Sequence, residues 1–287
     1  MTFYLLALSI FCVFPYCKLT LMRQPLWIYL MVVSVISAYY EAHINVYGVV
    51  SLIFYVALYF CLLTVKKIML GRIVSVAFVA ASLALALHYI PGFNNLPIVV
   101  NEAISTDAIA YTLYANFDKG IAGLLLAAYF FSSNTGTVKI ATANNLKIPL
   151  LIIGATILST LMMALVLGLV HFDFKVPDFW FAFIAINLFF TCVAEEALFR
   201  GILQHKLAQV ITSPRLALLA PIIVACIFGL AHFVGGISYI FVAAVAGLGY
   251  GTIYYKTQRL EWAILCHWLV DVCHFFFFTY PMLNVQT

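Results

Sequence analysis

The feature that most constrains this chain is a series of long apolar runs, each about as long as a helix needs to cross roughly 30 Å of hydrocarbon. Water cannot be the main solvent of such a chain, since 66% of its residues are hydrophobic and 8% are charged. The sequence therefore predicts an all-α, polytopic membrane helix bundle of about ten spans. The spans lie near residues 3–17, 25–40, 46–65, 73–90, 119–132, 148–170, 179–204, 215–234, 237–255 and 261–280.

Lysine and arginine are concentrated in every second connection between these spans. The residues are Lys18, Arg23, Lys66, Lys67, Arg72, Lys139, Lys147, Lys206, Arg215, Lys256 and Arg259. Because basic residues accumulate in cytosolic loops, we expect both termini to face outward. The small size and the lack of soluble appendages favour a bacterial inner membrane. These loops also account for the net charge of +4, which therefore does not indicate a nucleic-acid partner.

The longest polar stretch, about residues 91–118, is too short for an independent domain. Its turn signals and its apolar, aromatic middle predict a short helix along the outer interface, with a substrate-facing lid as the alternative. The seven cysteines lie almost wholly in spans and show no CxxC spacing, which argues against a disulfide framework or a zinc knuckle.

Ionisable residues cluster in the last four predicted spans. Each one inside a membrane costs roughly 2.5–3.5 kcal/mol on insertion scales, so each needs a reason. They are Glu195, Glu196 and Arg200 in TCVAEEALFRG, His232 in FGLAHF, and His267, Asp271 and His274 in CHWLVDVCH. Their concentration predicts one compact polar site.

Helix geometry separates the two acids of the EE pair. Glu196 and Arg200 are four residues apart with the acid first, the favoured order for an ion pair. Glu195 points about 100° away and is expected to face a separate polar cavity. The alternative is that both acids serve Arg200 in a packing network. His232 lies about as far beyond the cytosolic turn near Pro214 as Glu195 lies before it, so the two side chains should reach similar depth.

In the last span, His267, Asp271 and His274 form one helical stripe and are expected to share that cavity. In the span before it, a face of small residues predicts close helix packing. That face consists of Ala243, Gly247 and Gly251.

Three motifs in this order resemble the CPBP (CAAX protease and bacteriocin-processing) family of intramembrane proteases. EEALFR is similar to the family's EExxxR motif, FGLAH to FxxxH, and HWLVD to HxxxN or HxxxD. The resemblance covers about residues 185–275. We therefore divide the chain into an N-terminal transmembrane region, 1–177, without a recognised motif, and a CPBP-type catalytic transmembrane core, 178–287.

The resemblance implies a glutamate-type endopeptidase that acts on a membrane-associated peptide or protein. Glu195 would be the catalytic base, His232 would share the activation of water, and His267 with residue 271 would stabilise the oxyanion. The supporting residues would be Glu196, Arg200 and Phe228. Family members commonly have Asn where this chain has Asp271, and an ionised Asp cannot donate a hydrogen bond. We expect Asp271 to orient His267, with a protonated donor as the alternative.

Other interpretations of the same residues remain open. Two histidines and a glutamate can form a zinc site with an open fourth position, although we expect no metal. In a proton-coupled transporter or channel, Glu, His and Asp would form a relay. That class predicts polar residues in both halves of the chain, whereas these cluster in the last four spans. A membrane scaffold that binds a peptide without cutting it is the third possibility.

Overall fold

The computed structural model of the chain describes residues 1–133 and 146–284; Lys139, one of the predicted cytosolic charges, lies outside these ranges. When unbroken helical turns are taken together, the described residues form ten helices. These are α1 Thr2–Val13, α2 Leu26–Tyr40, α3 Val46–Thr64, α4 Ile68–Ala86, α5 Phe117–Ser133, α6 Lys147–Val166, α7 Trp180–Val210, α8 Pro214–Ala231, α9 Phe233–Thr257 and α10 Leu260–Phe277. The paired strands are β1 Thr20–Leu21 with β2 Gln24–Pro25, and β3 Leu96–Glu102 with β4 Tyr111–Ala115.

The helices confirm the predicted all-α polytopic membrane bundle. Among the described residues, seven helices are long and apolar enough to cross a membrane, namely α3, α4 and α6 to α10. The helices α1, α2 and α5 are shorter, at 12, 15 and 17 residues. The largest difference at a boundary is in α7, which continues to Val210 rather than ending near residue 204.

The described residues fall into two compact units, of which the first comprises 1–97, 114–133 and 189–198. Hydroxyl groups join its helices. Thr2 Oγ1 donates to Ser37 Oγ at 2.7 Å between α1 and α2, and Tyr55 and Ser82 hydroxyls are 2.7 Å apart between α3 and α4. Hydrocarbon offers these groups no hydrogen bond, so each such contact favours helix association.

The expected interfacial helix within 91–118 is wrong, because β3 and β4 form a hairpin there. Ile98, Val99 and Val100 are β-branched and favour an extended backbone. Asp107 in the connection has a φ of 58°, a turn conformation that Asp tolerates better than most residues. The local preference for strand therefore outweighs the amphipathic pattern.

The second unit comprises 98–113, 146–188 and 199–284. Its helices approach closely at glycines of α9. A Cβ on Gly251 would lie 2.9 Å from the side-chain oxygen of Gln204 and 3.1 Å from Pro221, and one on Gly247 would lie 3.1 Å from the ring of Phe228. The predicted close packing is thus confirmed at Gly247 and Gly251.

Candidate active site

The helix that carries the two acids, α7, is not a regular α-helix. Its stretches Asn187–Cys192 and Ala197–Gln204 are π-helical and flank the α-helical turn Val193–Glu196. π-Helical turns are frequent at functional sites. Within the α-helical turn, Glu196 is fully buried, whereas the side chain of Glu195 is 20% exposed. The two neighbouring acids therefore have different surroundings.

In the first unit, Glu195 forms an ion pair with Lys119 of α5. Lys119 Nζ donates to Glu195 Oε1 at 2.8 Å, and the lysine side chain is 17% exposed. Spacing along the chain could not indicate this contact, since the two residues are 76 positions apart. Lys119, a basic partner of Glu195, is thus an addition to the predicted site.

In the second unit, His232 follows the last turn of α8. Its Nδ1 is 2.8 Å from the carbonyl oxygen of Phe228, and its ring centroid is 4.6 Å from that of Phe228. A carbonyl can only accept, so Nδ1 carries the proton in this contact. In the neutral ring, Nε2 is then the nitrogen that accepts a proton or binds a metal.

His267 and Asp271 lie one turn apart on α10. His267 is buried, its ring stacks on Tyr250 at 4.5 Å, and its Nε2 is 3.5 Å from Asp271 Oδ2. The same carboxylate oxygen accepts a hydrogen bond of 2.9 Å from the side-chain amide of Asn187. Asp271 Oδ2 thus accepts from the Asn187 amide and faces His267 Nε2, and the orienting role of Asp271 stays a prediction.

A cavity of about 70 Å³ lies within the second unit. Its ionisable lining residues are His232, His267, Asp271 and His274, with Phe228, Tyr239 and Tyr250 as aromatic neighbours. Such a volume exceeds the roughly 10–15 Å³ that one water requires, and the polar lining can hydrogen-bond it. Three predicted site residues, His232, His267 and Asp271, thus line one polar cavity that is large enough to hold water.

The segment after α10 contributes Pro281 and Met282 to the lining of this cavity. His274 Nε2 is 3.2 Å from the carbonyl oxygen of Thr279 and therefore donates to it. His274 thus lines the cavity while its ring nitrogen is hydrogen-bonded to the main chain, which indicates a structural role.

Two side chains of α7 are bonded to main-chain carbonyls of α9. Arg200 Nη2 donates to Gly247 O at 2.7 Å, and Gln204 Nε2 donates to Gly251 O at 2.8 Å. The guanidinium carbon of Arg200 is also 4.8 Å from the centre of the Phe228 ring, within cation–π range. Arg200 therefore supports Phe228, whose carbonyl holds His232.

The sequence interpretation missed Lys119 and Asn187, which contact Glu195 and Asp271, and Gln204, which donates to Gly251 of the predicted small-residue face. Lys119 offered a weak signal, being one of only two lysines in the connections predicted to face outward. Asn187 and Gln204 are uncharged, so they do not meet the criterion of an ionisable residue within a span.

The apolar helices define an integral membrane protein, and its second unit contains a cavity lined by histidines and an aspartate. Residues 177–273 match the sequence model of a family described as type II CAAX prenyl endopeptidase Rce1-like. No curated protein and no solved structure matches the chain. The family match confirms the predicted resemblance to the CAAX proteases and supports peptidase as the enzyme class.

Proposed function

We propose that this protein is an intramembrane endopeptidase that cuts a membrane-associated protein or peptide by glutamate-assisted attack of water. The observation that carries the proposal is the match over residues 177–273, within which His232, His267 and Asp271 line one cavity. Glu195 and Glu196 supply the acids of the motif in the same matched stretch.

In the proposed reaction, Glu195 takes a proton from water and the resulting hydroxide attacks the carbonyl carbon of the scissile bond. His232 shares the activation of water through Nε2, because its Nδ1 proton is bonded to Phe228 O. His267 faces Asp271 through Nε2 and donates to the oxyanion through Nδ1, which requires the imidazolium form of the ring. Collapse of the tetrahedral intermediate breaks the C–N bond, and the leaving amine takes the proton from Glu195.

We further propose that this reaction needs no metal. The donor set also fits zinc, since a histidine that donates Nδ1–H to a carbonyl, as His232 does to Phe228, is a common arrangement around metal ligands. Chelation of the purified protein separates the two mechanisms. Activity that survives strong chelation supports the metal-free reaction, whereas loss of activity that zinc reverses would make the protein a zinc peptidase.

The proposed location is a bacterial inner membrane with both termini outside. Lys66 and Lys67 occupy the short connection between α3 and α4, and they carry much of the positive-inside argument. In a chain freed of its seven native cysteines, a cysteine at position 66 should react with membrane-impermeant reagents only from the cytosolic side. A cysteine at position 101 should react from outside, and the opposite result would reverse the topology.

The test of the proposed activity uses the purified protein in proteoliposomes and a fluorogenic peptide panel. Half of the panel ends in a prenylated CAAX sequence, since the description of the matched family names a CAAX prenyl endopeptidase, and half consists of unmodified apolar helices. Glu195→Gln should abolish cleavage, by about 10²-fold or more, because it removes the base and keeps the shape. Glu102→Gln, which changes an exposed glutamate of β3, is the matched control and should cleave as the unmodified chain does.

Cleavage by the unmodified chain that Glu195→Gln loses supports both the peptidase activity and the role of Glu195. Full turnover by folded Glu195→Gln protein would refute the assigned base. Absence of cleavage across the panel, together with proton movement across the proteoliposome membrane, would favour the transporter class instead.

A further inference from the structure

Lys119 is the charged partner that the first unit provides for Glu195. The ammonium nitrogen and Glu195 Oε1 are 2.8 Å apart, and both side chains are mostly buried, at 17% and 20% exposure. A lysine has a flexible four-carbon stem, so this geometry persists only where the surroundings hold the chain in place. Two further features of the first unit provide that restraint.

The first feature is the close approach of α5 to the turn of α7 that carries Glu195. A Cβ on Gly123 would lie 2.9 Å from both Cα and Cβ of Ala194, and a Cβ on Gly120 would lie 3.0 Å from the ring of Phe190, which is also on α7. Because Gly123 is one helical turn beyond Lys119, both lie on the same face of α5. Glycine at position 123 therefore lets α5 approach α7 closely enough for the Lys119 side chain to reach Glu195.

The second feature is a polar cluster that anchors the start of α5. Asp118 is buried, and its carboxylate oxygens lie 2.7 Å from His88 Nδ1 and 3.1 Å from Asn95 Nδ2. Asn95 in turn accepts the main-chain N–H of Phe117 at 2.9 Å, and Asp118 accepts that of Lys119 at 2.9 Å. The main chain at Lys119 is thus fixed on both sides.

We propose that Lys119 is a positioning residue for Glu195, holding its carboxylate in the orientation and the ionised form that a general base requires. The inference rests on the proposed role of Glu195. A carboxylate removed from water favours its protonated form, and a cation within hydrogen-bond distance opposes that preference. Charged groups adjacent to the pair include Glu196 on the same turn, and Asp118 with His88 on the anchoring side. Lys119 is the cation among them that contacts Glu195 directly.

The test compares Lys119→Met with Lys119→Arg in proteoliposomes, with kcat and KM measured across pH on the same peptide panel. Lys119→Met should lower kcat near neutral pH about tenfold while KM changes little, and raising the pH should recover part of the loss. The acid limb of the profile should move upward by about one pH unit. Lys119→Arg retains the charge and should keep the acid limb of the unmodified chain.

Lys175→Met is the matched control, because it removes another mostly buried lysine from an ion pair, with Asp173 at 3.2 Å in the second unit. It should leave the pH profile unchanged. If Lys119→Met does not fold, Lys119→Gln serves instead, since it removes the charge but keeps a polar side chain, and the same upward movement is expected.

A Lys119→Met or Lys119→Gln protein with the pH profile and kcat of the unmodified chain would overturn the inference. If Glu195→Gln is inactive in that case, the proposed peptidase mechanism stands and only the role of Lys119 fails. If folded Glu195→Gln protein is fully active, the proposed base is wrong and the inference about Lys119 fails with it.

Discussion

The two units satisfy their buried charges in different ways. In the first unit, charged and polar side chains face one another, as in Lys119 with Glu195 and Asp118 with His88. In the second unit, Arg200, His232 and Lys175 donate to the main-chain carbonyls of Gly247, Phe228 and Phe278, although Lys175 also pairs with Asp173. A side-chain partner can be removed by one substitution, whereas a main-chain carbonyl is present in every residue and survives the substitution. One substitution therefore breaks a contact of the first kind directly, whereas a carbonyl acceptor is lost only when the main chain moves.

The largest expected effect is on stability, at the fully buried Glu196 and Arg200. Glu196→Gln and Arg200→Gln should each lower the free energy of unfolding in detergent by about 3–5 kcal/mol, because each leaves a buried charge without its predicted partner. The double variant should be destabilised by less than the sum of the single variants if the two are paired. Simple additivity would show that carbonyl and aromatic contacts, rather than Glu196, neutralise Arg200.

Glycine substitutions compare the close approaches in the two units. Gly123→Ala should lower the free energy of unfolding by about 1–3 kcal/mol, because its Cβ meets the rigid backbone of Ala194. Gly247→Ala should cost less, since its Cβ would lie 3.1–3.3 Å from side-chain atoms of Phe228 and Arg200, which can shift. Gly154→Ala on α6 meets nothing within 4 Å and should be neutral or slightly stabilising. Thermal unfolding that ranks Gly154→Ala with Gly123→Ala would refute the steric explanation.

Removal of the amide donor to Asp271 tests a side-chain contact in the second unit. Asn187→Leu should lower kcat about tenfold, since Asp271 and with it His267 lose their orientation. Asn187→Asp should lower kcat further at neutral pH, because two carboxylates would then face each other. Unfolding temperatures measured in parallel separate misorientation from misfolding. Unchanged kcat in folded Asn187→Leu protein would remove Asn187 from the site.

The smallest expected effect concerns the half-exposed Asp173. A hydrogen bond from Ser105, with help from Lys175, holds the pKa of Asp173 below its usual value. A lowered pKa stabilises the folded state above the unfolded pKa of about 4, and this contribution is lost as the pH falls through the folded pKa. Asp173→Asn should therefore cost about 0.5 kcal/mol at pH 7. The difference between variant and unmodified chain should shrink in acid; a difference that grows below pH 4 would contradict the assignment.

The helices were predictable because a chain that crosses hydrocarbon needs long apolar runs whose backbone is hydrogen-bonded internally, and such runs are visible in the sequence. The β3–β4 hairpin was not, since a short loop satisfies its backbone in several ways, and β-branched residues there compete with an amphipathic pattern. The π-helical turns of α7 have no known sequence signature that would have indicated them, because they depend on how neighbouring helices pack.

Some residues of the candidate site could likewise be predicted from the sequence, and others could not. Glu195, Glu196, Arg200, His232, His267 and Asp271 were recognisable because ionisable residues in a span are costly and rare. Their partners were harder to predict. Lys119 is remote in sequence from Glu195, and Gly247 contributes a carbonyl that every residue possesses. Identification of such partners requires the packing of α5 and α9, which spacing within one helix cannot supply.

Oxygen-isotope transfer in a single turnover tests most directly whether Glu195 activates water or attacks the peptide itself. The purified protein is held in molar excess over a cleaved peptide of the panel, in water enriched in the heavy oxygen isotope. If Glu195 is a base, the new C-terminal carboxylate contains one heavy oxygen after the first turnover, and Glu195 itself remains unlabelled. An unlabelled product, or heavy oxygen in the side chain of Glu195, would show a covalent intermediate on the glutamate and contradict the proposed mechanism.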